Sequence, residues 1–325
     1  MSQMSFSSLA FCEKKKITRR EQFLQEMDQV TPWPTLEALI EPFYPKIGNG
    51  RRPTPLSVML RIYFLQQWFA LSDPAMEDAL YDSTSMQRFA GLELGQNSIP
   101  DETTILNFRH LLEKHDLTSQ LFNAVNGLLQ DKGILLRRGT ITDATIIHAP
   151  TSTKNRDRAR DPEMSSTKKG DTWHFGMKAH VGACSKSGLA HTVEISTASV
   201  HDSQKAEELL HGEEEERFGD RAYADEGKRQ EYSGRGVKWR VNIKATRGRE
   251  LTEREKQWNK SRNRVRSRVE HGFGVIKHLW GYRKVRYRGL YKNRCQIFSL
   301  FMLCNLYRAR KSLIRIQEYE LAQAK

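Results

Sequence analysis

The residues of this sequence that could do chemistry include aspartates placed next to apolar segments. Asp143 lies inside residues 140–147, a β-branched run that predicts a strand. Because an unpaired charge inside an apolar strand is costly, this carboxylate needs a metal ion, a cation or hydrogen bonds, unless it faces solvent at a strand end. Asp220 is a weaker candidate by itself, since Asp202 and Asp225 offer the same chemistry.

A third carboxylate, Glu270, lies on a long helix predicted over residues 259–279. Arg266, Glu270 and Lys277 are spaced by four and seven residues, which places them within about 40° of one another on one helix face. The helix also carries four arginines at alternate positions, Arg262, Arg264, Arg266 and Arg268. An ordinary Arg–Glu helix pair does not explain this density, and a dense basic face suits phosphate groups.

The charge balance of the chain favours a polyanionic partner. Its 325 residues include 53 Lys and Arg against 39 Asp and Glu, which gives a net charge of +14. Because neutralised phosphates release counterions, nucleic acid is the commonest partner of so basic a chain, and a merely soluble basic protein is the alternative. Hydrophobic residues make up 38% of the chain, enough to bury a core, and the length suggests about two domains.

The sequence predicts a soluble, cytoplasmic protein. Its four cysteines form no CxxC pair, which indicates neither a disulfide framework nor a zinc site. The N-terminus has no apolar stretch long enough for a signal peptide. The longest apolar-rich run, residues 295–307, is shorter than the roughly 20 residues that a membrane-spanning helix needs.

Changes of periodicity divide the chain into four segments. Residues 1–45 are polar, basic and broken by prolines, and they predict a loosely ordered arm. Residues 46–133 have the apolar spacing of several short helices, which fit a helix-turn-helix and an ordinary helical bundle equally well. Residues 134–315 contain predicted strands followed by two long helices, and residues 316–325 form a tail. The predicted fold class is α/β with an all-α N-terminal domain.

Two stretches between the first strand and the long helices have local signals of their own. Residues 173–183 and 189–198 flank a Ser-Lys-Ser-Gly turn and predict a β-hairpin. Residues 151–172 are dense in charge, Ser and Thr, and predict a mobile loop.

Three segments together resemble the DDE transposases of bacterial insertion sequences, in the group that joins the fourth and fifth insertion-sequence families. The first two segments are Thr142-Asp143-Ala144-Thr145 and Asp220-Arg221-Ala222-Tyr223. The third comprises Asn263, Arg266, Glu270 and Lys277. Residues 161–178 are typical of the fifth family, to which the resemblance is closest, and the likeness extends over roughly residues 45–310.

The sequence departs from the wider group in two respects. Asn263 stands where the group usually has Tyr, so a stacking role at that position is not carried over. The interval from Asp220 to Glu270 is 270 − 220 = 50 residues. That interval leaves no room for the large β insertion of the better-known members of the fourth family.

The resemblance implies a ribonuclease H-like catalytic domain, a mixed sheet flanked by helices, behind a helical DNA-binding and dimerisation domain. It implies that Asp143, Asp220 and Glu270 hold Mg²⁺, with Mn²⁺ as a possible substitute, and cleave and join DNA strands. The residues that it assigns to DNA contact are Arg262, Asn263, Arg266 and Lys277. The implied partners are terminal inverted repeats, target DNA and a second copy of the chain, in the bacterial cytoplasm at the nucleoid.

Two other functions fit the same residues. A stand-alone metal-dependent nuclease of this fold would cleave DNA without joining it, and a DNA-binding regulator would need no metal for any reaction. The ten histidines show no HExxH spacing, which argues against a zinc hydrolase. Tyr223, Trp258 and Trp280 could stack on unpaired bases, although core packing is the favoured role for each.

Overall fold

The computed structural model describes residues 16–48, 52–92, 98–246 and 248–323, which form a mixed α/β structure. Within these residues seven α-helices precede the first strand: α1 (Arg19–Val30), α2 (Trp33–Ile40), α3 (Leu56–Trp68), α4 (Asp73–Asp82), α5 (Thr84–Ala90), α6 (Glu102–Lys114) and α7 (Leu117–Asp131). The remaining elements are β1 (Gly139–His148), β2 (Ser165–Lys169), β3 (Thr172–Cys184), β4 (Ala190–Thr197), β5 (Glu216–Gly219), α8 (Glu226–Gly234), β6 (Lys238–Val241), α9 (Glu253–Gly274) and α10 (Leu290–Gln323). The prediction of α/β class with helices ahead of the strands is confirmed.

The six strands form one mixed sheet with β1 in its interior. β1 pairs antiparallel with β3 on one side and parallel with β5 on the other, and β6 continues the sheet parallel to β5. β3 also pairs antiparallel with β4, as the hairpin signal predicts. The prediction of a loop over 151–172 is wrong in part, because β2 pairs with the first residues of β3.

The N-terminal segment is more ordered than its composition predicts. Residues 1–15 lie outside the described residues, but α1, α2 and a 3₁₀ turn at Glu41–Phe43 occupy most of 19–43. A capping box between Thr18 and Glu21 starts α1, and three of its apolar residues are buried, Leu24, Met27 and Val30. The prediction of a loosely ordered arm is therefore wrong from residue 19 onwards, because the apolar stripe of α1 finds a surface to pack on.

The helix α10 joins the N-terminal helices to the sheet. It packs against α1 and α7 as well as β4, and its buried Asn305 donates a hydrogen bond to the Ala190 carbonyl of β4 at 2.7 Å. One hydrophobic core consequently runs across residue 133. The prediction of a tail from residue 316 is wrong for the described part, since α10 continues to Gln323.

The N-terminal helices form a bundle around α3. This helix is apolar nearly all round, and ten of its residues are buried, as expected for a central helix rather than an amphipathic surface helix. The interpretation as a helical bundle fits this arrangement, while a DNA-recognition role of residues 46–133 stays a prediction. Across the described ranges, no helix has both the length and the apolar character to cross a membrane.

Candidate active site

Asp143 lies within β1 and Asp220 directly follows β5, at the same level of two neighbouring parallel strands. The register of β1 and β5 pairs Thr142 with Gly219, so the next residue of each strand is an aspartate. The amide of Ala144 donates to Asp143 Oδ1 at 2.9 Å. Asp220 begins the 3₁₀ turn Arg221–Tyr223, where its Oδ1 accepts the Ala222 amide at 2.7 Å. Two carboxylates from distant parts of the sequence thus lie side by side.

Arg266 connects this pair to the carboxylate of the long helix. Its Nη2 lies 3.1 Å from Asp143 Oδ2 and 3.6 Å from Glu270 Oε1. The side chains of Asp143 and Arg266 are 13% and 15% exposed, whereas that of Glu270 is 57% exposed. The three segments identified in the sequence therefore converge, with Arg266 as the cation between two of the carboxylates.

Burial and a neighbouring charge both act on Asp143. Burial raises the pKa of its carboxyl, and the charge of Asp220 raises it further, although Arg266 and the Ala144 amide oppose the shift. Burial also raises the pKa of Tyr223, with added contributions from the charges of Asp202, Asp143 and Asp220. Burial and the charges of neighbouring carboxylates thus act in the same direction on Asp143 and Tyr223.

Two other arginines of α9 fix that helix against the sheet. Arg262 Nη1 donates to the Val241 carbonyl of β6 at 2.7 Å, and Arg268 Nη1 donates to the Ser185 carbonyl of the β3–β4 turn. A Cβ on Gly188, at φ +69°, would lie 2.7 Å from Arg268 Cβ, so this close approach requires glycine. Arg262 and Arg268 thus each donate to a backbone carbonyl of another element. The assignment of this arginine face to DNA phosphates stays a prediction.

Asn263, which the resemblance assigns to DNA contact, accepts a hydrogen bond from Arg266 in the folded chain. Its Oδ1 accepts from Asn242 Nδ2 at 2.7 Å and from Arg266 Nη1 at 3.4 Å. Asn242 is itself buried and follows the end of β6. The sequence offered no signal for this link, because it joins residues on separate elements.

Lys277 does not share the position of Glu270. Residues Val275–Leu279 form a π-helical turn after α9, which rotates the following side chains away from the α-helical face. Lys277 Nζ donates instead to the Ile146 carbonyl of β1. Burial, with the charge of Lys169, lowers the pKa of Lys277 to about 8. The expectation that two cations flank Glu270 is therefore correct for Arg266 only.

Comparisons with known proteins agree with this geometry. The family described as "Transposase DDE domain" matches residues 135–306, more than half of the chain, and includes Asp143, Asp220 and Glu270. A second family, "Transposase domain (DUF772)", matches residues 11–111. The chain belongs to the DDE transposase family.

One solved structure also aligns with this transposase. It is the crystal structure of the Mos1 Strand Transfer Complex, matched over 74% of this chain and 82% of that chain at 10% identity. The TM-score is 0.19. A score this low carries no argument about the fold or the function of the transposase.

The alternative aspartates of the transposase have structural partners. Asp225 caps α8 by accepting the Lys228 amide at 3.0 Å, and Asp202 Oδ1 lies 2.8 Å from Lys178 Nζ. Neither comes directly after a strand that neighbours β1. Of these aspartates, Asp220 is thus the one that the parallel register brings beside Asp143.

The donor chemistry of the three candidate carboxylates suits a divalent ion such as Mg²⁺, which prefers hard oxygen ligands. Among the described residues, however, no group of three or more His, Cys, Asp or Glu side chains lies close enough together to hold a metal ion. Instead, the Arg266 guanidinium is the positive charge shared by Asp143 and Glu270. The three carboxylates have the charge and the oxygen atoms that a divalent cation requires. In this structure the Arg266 guanidinium is the cation that lies between two of them.

The sequence left the roles of three aromatic residues open. Tyr223 and Trp280 are 3% and 4% exposed, which confirms core packing for both. In contrast, Trp258 is 44% exposed on α9, so core packing is wrong for this residue. Within the described part of the chain the buried Tyr223 hydroxyl has no hydrogen-bond partner, and it lies in the field of the site carboxylates.

Proposed function

We propose that this transposase cleaves DNA at the ends of an insertion sequence with divalent metal ions and transfers the freed 3′-hydroxyl into target DNA. The observation that carries the proposal is the convergence of Asp143, Asp220 and Glu270 through the β1–β5 register and Arg266. The mixed sheet flanked by helices supports a ribonuclease H-like catalytic domain for residues 134–315.

Asp143, Asp220 and Glu270 would hold Mg²⁺, or Mn²⁺ in its place. When bound, the ions would supply stabilisation of the attacking and leaving oxygens at phosphorus. Arg266 lowers the pKa of Asp143 and so opposes part of the effect of burial. Asn263, held by Asn242, keeps the Arg266 guanidinium in place.

We assign DNA contact near the cleaved phosphate to Arg266 and Lys277. The Arg266 side chain is 15% exposed, and a phosphate oxygen could accept from the exposed part of its guanidinium. Lys277 lies against the end of β1 that follows Asp143. We assign Arg262 and Asn263 to positioning, since their side chains are engaged with the protein itself.

Joining two ends to one target requires both ends in the same complex, so we further propose a DNA-bound homodimer or higher oligomer. Residues 46–133 would provide end recognition and dimer contacts. Light scattering on paired end DNA tests this directly, and a single chain per end pair that still joins both ends would refute it.

The experiment uses DNA carrying the short inverted repeats that flank the gene. The purified chain is incubated with labelled end DNA and an unlabelled target plasmid, with Mg²⁺ or with a chelator. We expect cleaved ends and strand-transfer products with Mg²⁺ alone. Cleavage without joining would indicate a stand-alone nuclease, and metal-independent binding without any product would indicate a regulator.

A further inference from the structure

A basic groove lies beside the candidate site, where α9 faces α8, β5 and the edge strand β6. Its volume is about 580 Å³, and it opens to solvent. The residues that line it are Glu216, Phe218, Arg229, Arg240, Trp258, Ser261, Arg262 and Val265. Three arginines thus face one groove that contains a single acidic side chain.

The arginines of the groove repel one another. The pKa of Arg262 is lowered by burial and by the charges of Arg240 and Arg229. Glu216 offsets part of this charge, since its Oε1 lies 3.5 Å from Arg240 Nη2, but it also lies 3.9 Å from Lys238 Nζ. Arg229 pairs with Glu226 at 3.4 Å, and both side chains of this pair are exposed to solvent. A groove in which like charges converge with incomplete compensation is suited to an anion.

Trp258 gives the groove an aromatic wall. Its ring lies between the guanidinium carbons of Arg254 and Arg262, at 5.0 and 5.9 Å from the centroid. Arg262 also donates to the Val241 carbonyl, and Trp258 remains 44% exposed. An exposed indole between two cations, with open space beside it, provides a stacking surface next to phosphate-binding groups.

The groove and the candidate active site share two elements, β5 and α9. Phe218 of β5 lines it two residues before Asp220, and Arg262 lies one helical turn before Arg266 on α9. A strand whose phosphate reaches Arg266 would therefore meet the groove with its neighbouring nucleotides.

We propose that this groove binds an unpaired strand of DNA, with a base stacked on Trp258 and the adjoining phosphates on Arg229 and Arg240. The inference rests on the proposed function and assigns it a site for single-stranded DNA. Phosphate charge alone would be satisfied by a duplex, but a duplex keeps its bases stacked inside and offers none to Trp258. The indole therefore favours a strand with exposed bases.

The test measures binding of the full chain to three labelled DNA probes, by fluorescence anisotropy with a chelator present. The probes are a short thymidine single strand, the same strand with abasic sites, and a blunt duplex. The variants are Trp258→Ala, Trp258→Phe and Arg240→Gln, with Tyr319→Ala as an exposed aromatic control outside the groove. Circular dichroism confirms that each variant is folded.

We expect Trp258→Ala to lose about 5- to 150-fold in affinity for the thymidine strand, the range for loss of one base stack. Trp258→Phe should keep most of the affinity, because the ring face remains. Binding of the abasic strand should be the same for wild type and Trp258→Ala. Arg240→Gln should weaken both strands and reduce the salt dependence, and Tyr319→Ala should change nothing.

Two results would overturn the inference while leaving the proposed function in place. In one, wild type binds the duplex, and Trp258→Ala binds the thymidine strand as tightly as wild type. In the other, Trp258→Ala weakens the thymidine and abasic strands equally, which would show a general loss of charge or shape rather than stacking. If wild type binds none of the three probes, the proposed function fails together with the groove.

Discussion

At the scale of single residues, the charged form of Asp143 is disfavoured in the folded chain. Burial outweighs the help of Arg266 and the Ala144 amide, so its pKa lies above the ordinary value. For an aspartate whose charge stabilises the fold, we would expect a pKa below the ordinary value. The charge of the neighbouring Asp220 raises the pKa of Asp143 further.

A stability measurement checks this interpretation of Asp143. Because its pKa is higher in the folded than in the unfolded chain, its contribution to the free energy of unfolding falls as the pH rises from about 4 through the folded value. Asp143→Asn removes that contribution. Without divalent metal, the variant should equal or exceed wild type in urea unfolding at neutral pH, and the difference should narrow towards about pH 4. A variant clearly less stable than wild type at neutral pH contradicts this account.

Arg266 has a distinct effect that pH can reveal. Arg266→Ala removes the group that lowers the pKa of Asp143, so the acidic limb of the pH–cleavage profile should move to higher pH while the fold persists. Arg266→Lys should restore part of the shift, since it keeps the charge without the planar fork. Asn263→Ala should act in the same direction more weakly. An unchanged profile and cleavage rate in Arg266→Ala would remove Arg266 from the site.

At the scale of elements, local patterns predicted what each segment forms but not how the segments meet. The strand of Asp143 and the helix of Glu270 follow from a β-branched run and from apolar spacing. The parallel pairing of β1 with β5 joins aspartates 220 − 143 = 77 residues apart, and no local pattern encodes that register. The distinct roles of Arg262 and Arg268 depend likewise on carbonyls of other elements.

The π-helical turn after α9 is also not predicted by local sequence patterns, and it leads to a prediction for Lys277. The α-helical spacing predicts Lys277 on the face of Glu270, but after the π-helical turn its Nζ donates to the Ile146 carbonyl of β1. Its pKa of about 8 means that it loses charge as the pH rises through that value. If it contacts DNA phosphate, affinity for end DNA should fall at and above about pH 8, because the phosphate itself favours the protonated form.

Lys277→Arg supplies the matched control for that titration. Arginine stays protonated over this range, so the variant should bind end DNA with an affinity that is flat across the same pH interval. Both proteins are compared by anisotropy at constant ionic strength. An identical decline in wild type and Lys277→Arg would show that another group titrates.

At the scale of the whole molecule, the helical segment and the sheet depend on each other. The sequence predicts a boundary at residue 133, but α10 returns from the C-terminal side to pack on α1 and α7. Fifteen residues of α10 are buried, and many would be exposed if the helices before residue 133 were removed. The apolar spacing of the sequence predicts that α10 is a buried helix, but it does not predict which elements pack against it.

We therefore expect that residues 134–325 do not fold alone. The fragment should lack a cooperative urea transition and should aggregate, because a large apolar face of α10 meets water. The matched comparison is the full chain under the same conditions, followed by circular dichroism. A cooperative transition of the fragment near the midpoint of the full chain would show that two independent domains exist.

The central claim is that Asp143, Asp220 and Glu270 act as one metal site. The most direct measurement is Mg²⁺-dependent joining of labelled end DNA by Asp143→Asn, Asp220→Asn and Glu270→Gln. Asp225→Asn is the control, since asparagine caps a helix as well as aspartate does. The account predicts that the three variants bind end DNA but lose nearly all cleavage and joining, whereas Asp225→Asn keeps both. Wild-type joining by any one of the three would contradict the claim for that residue.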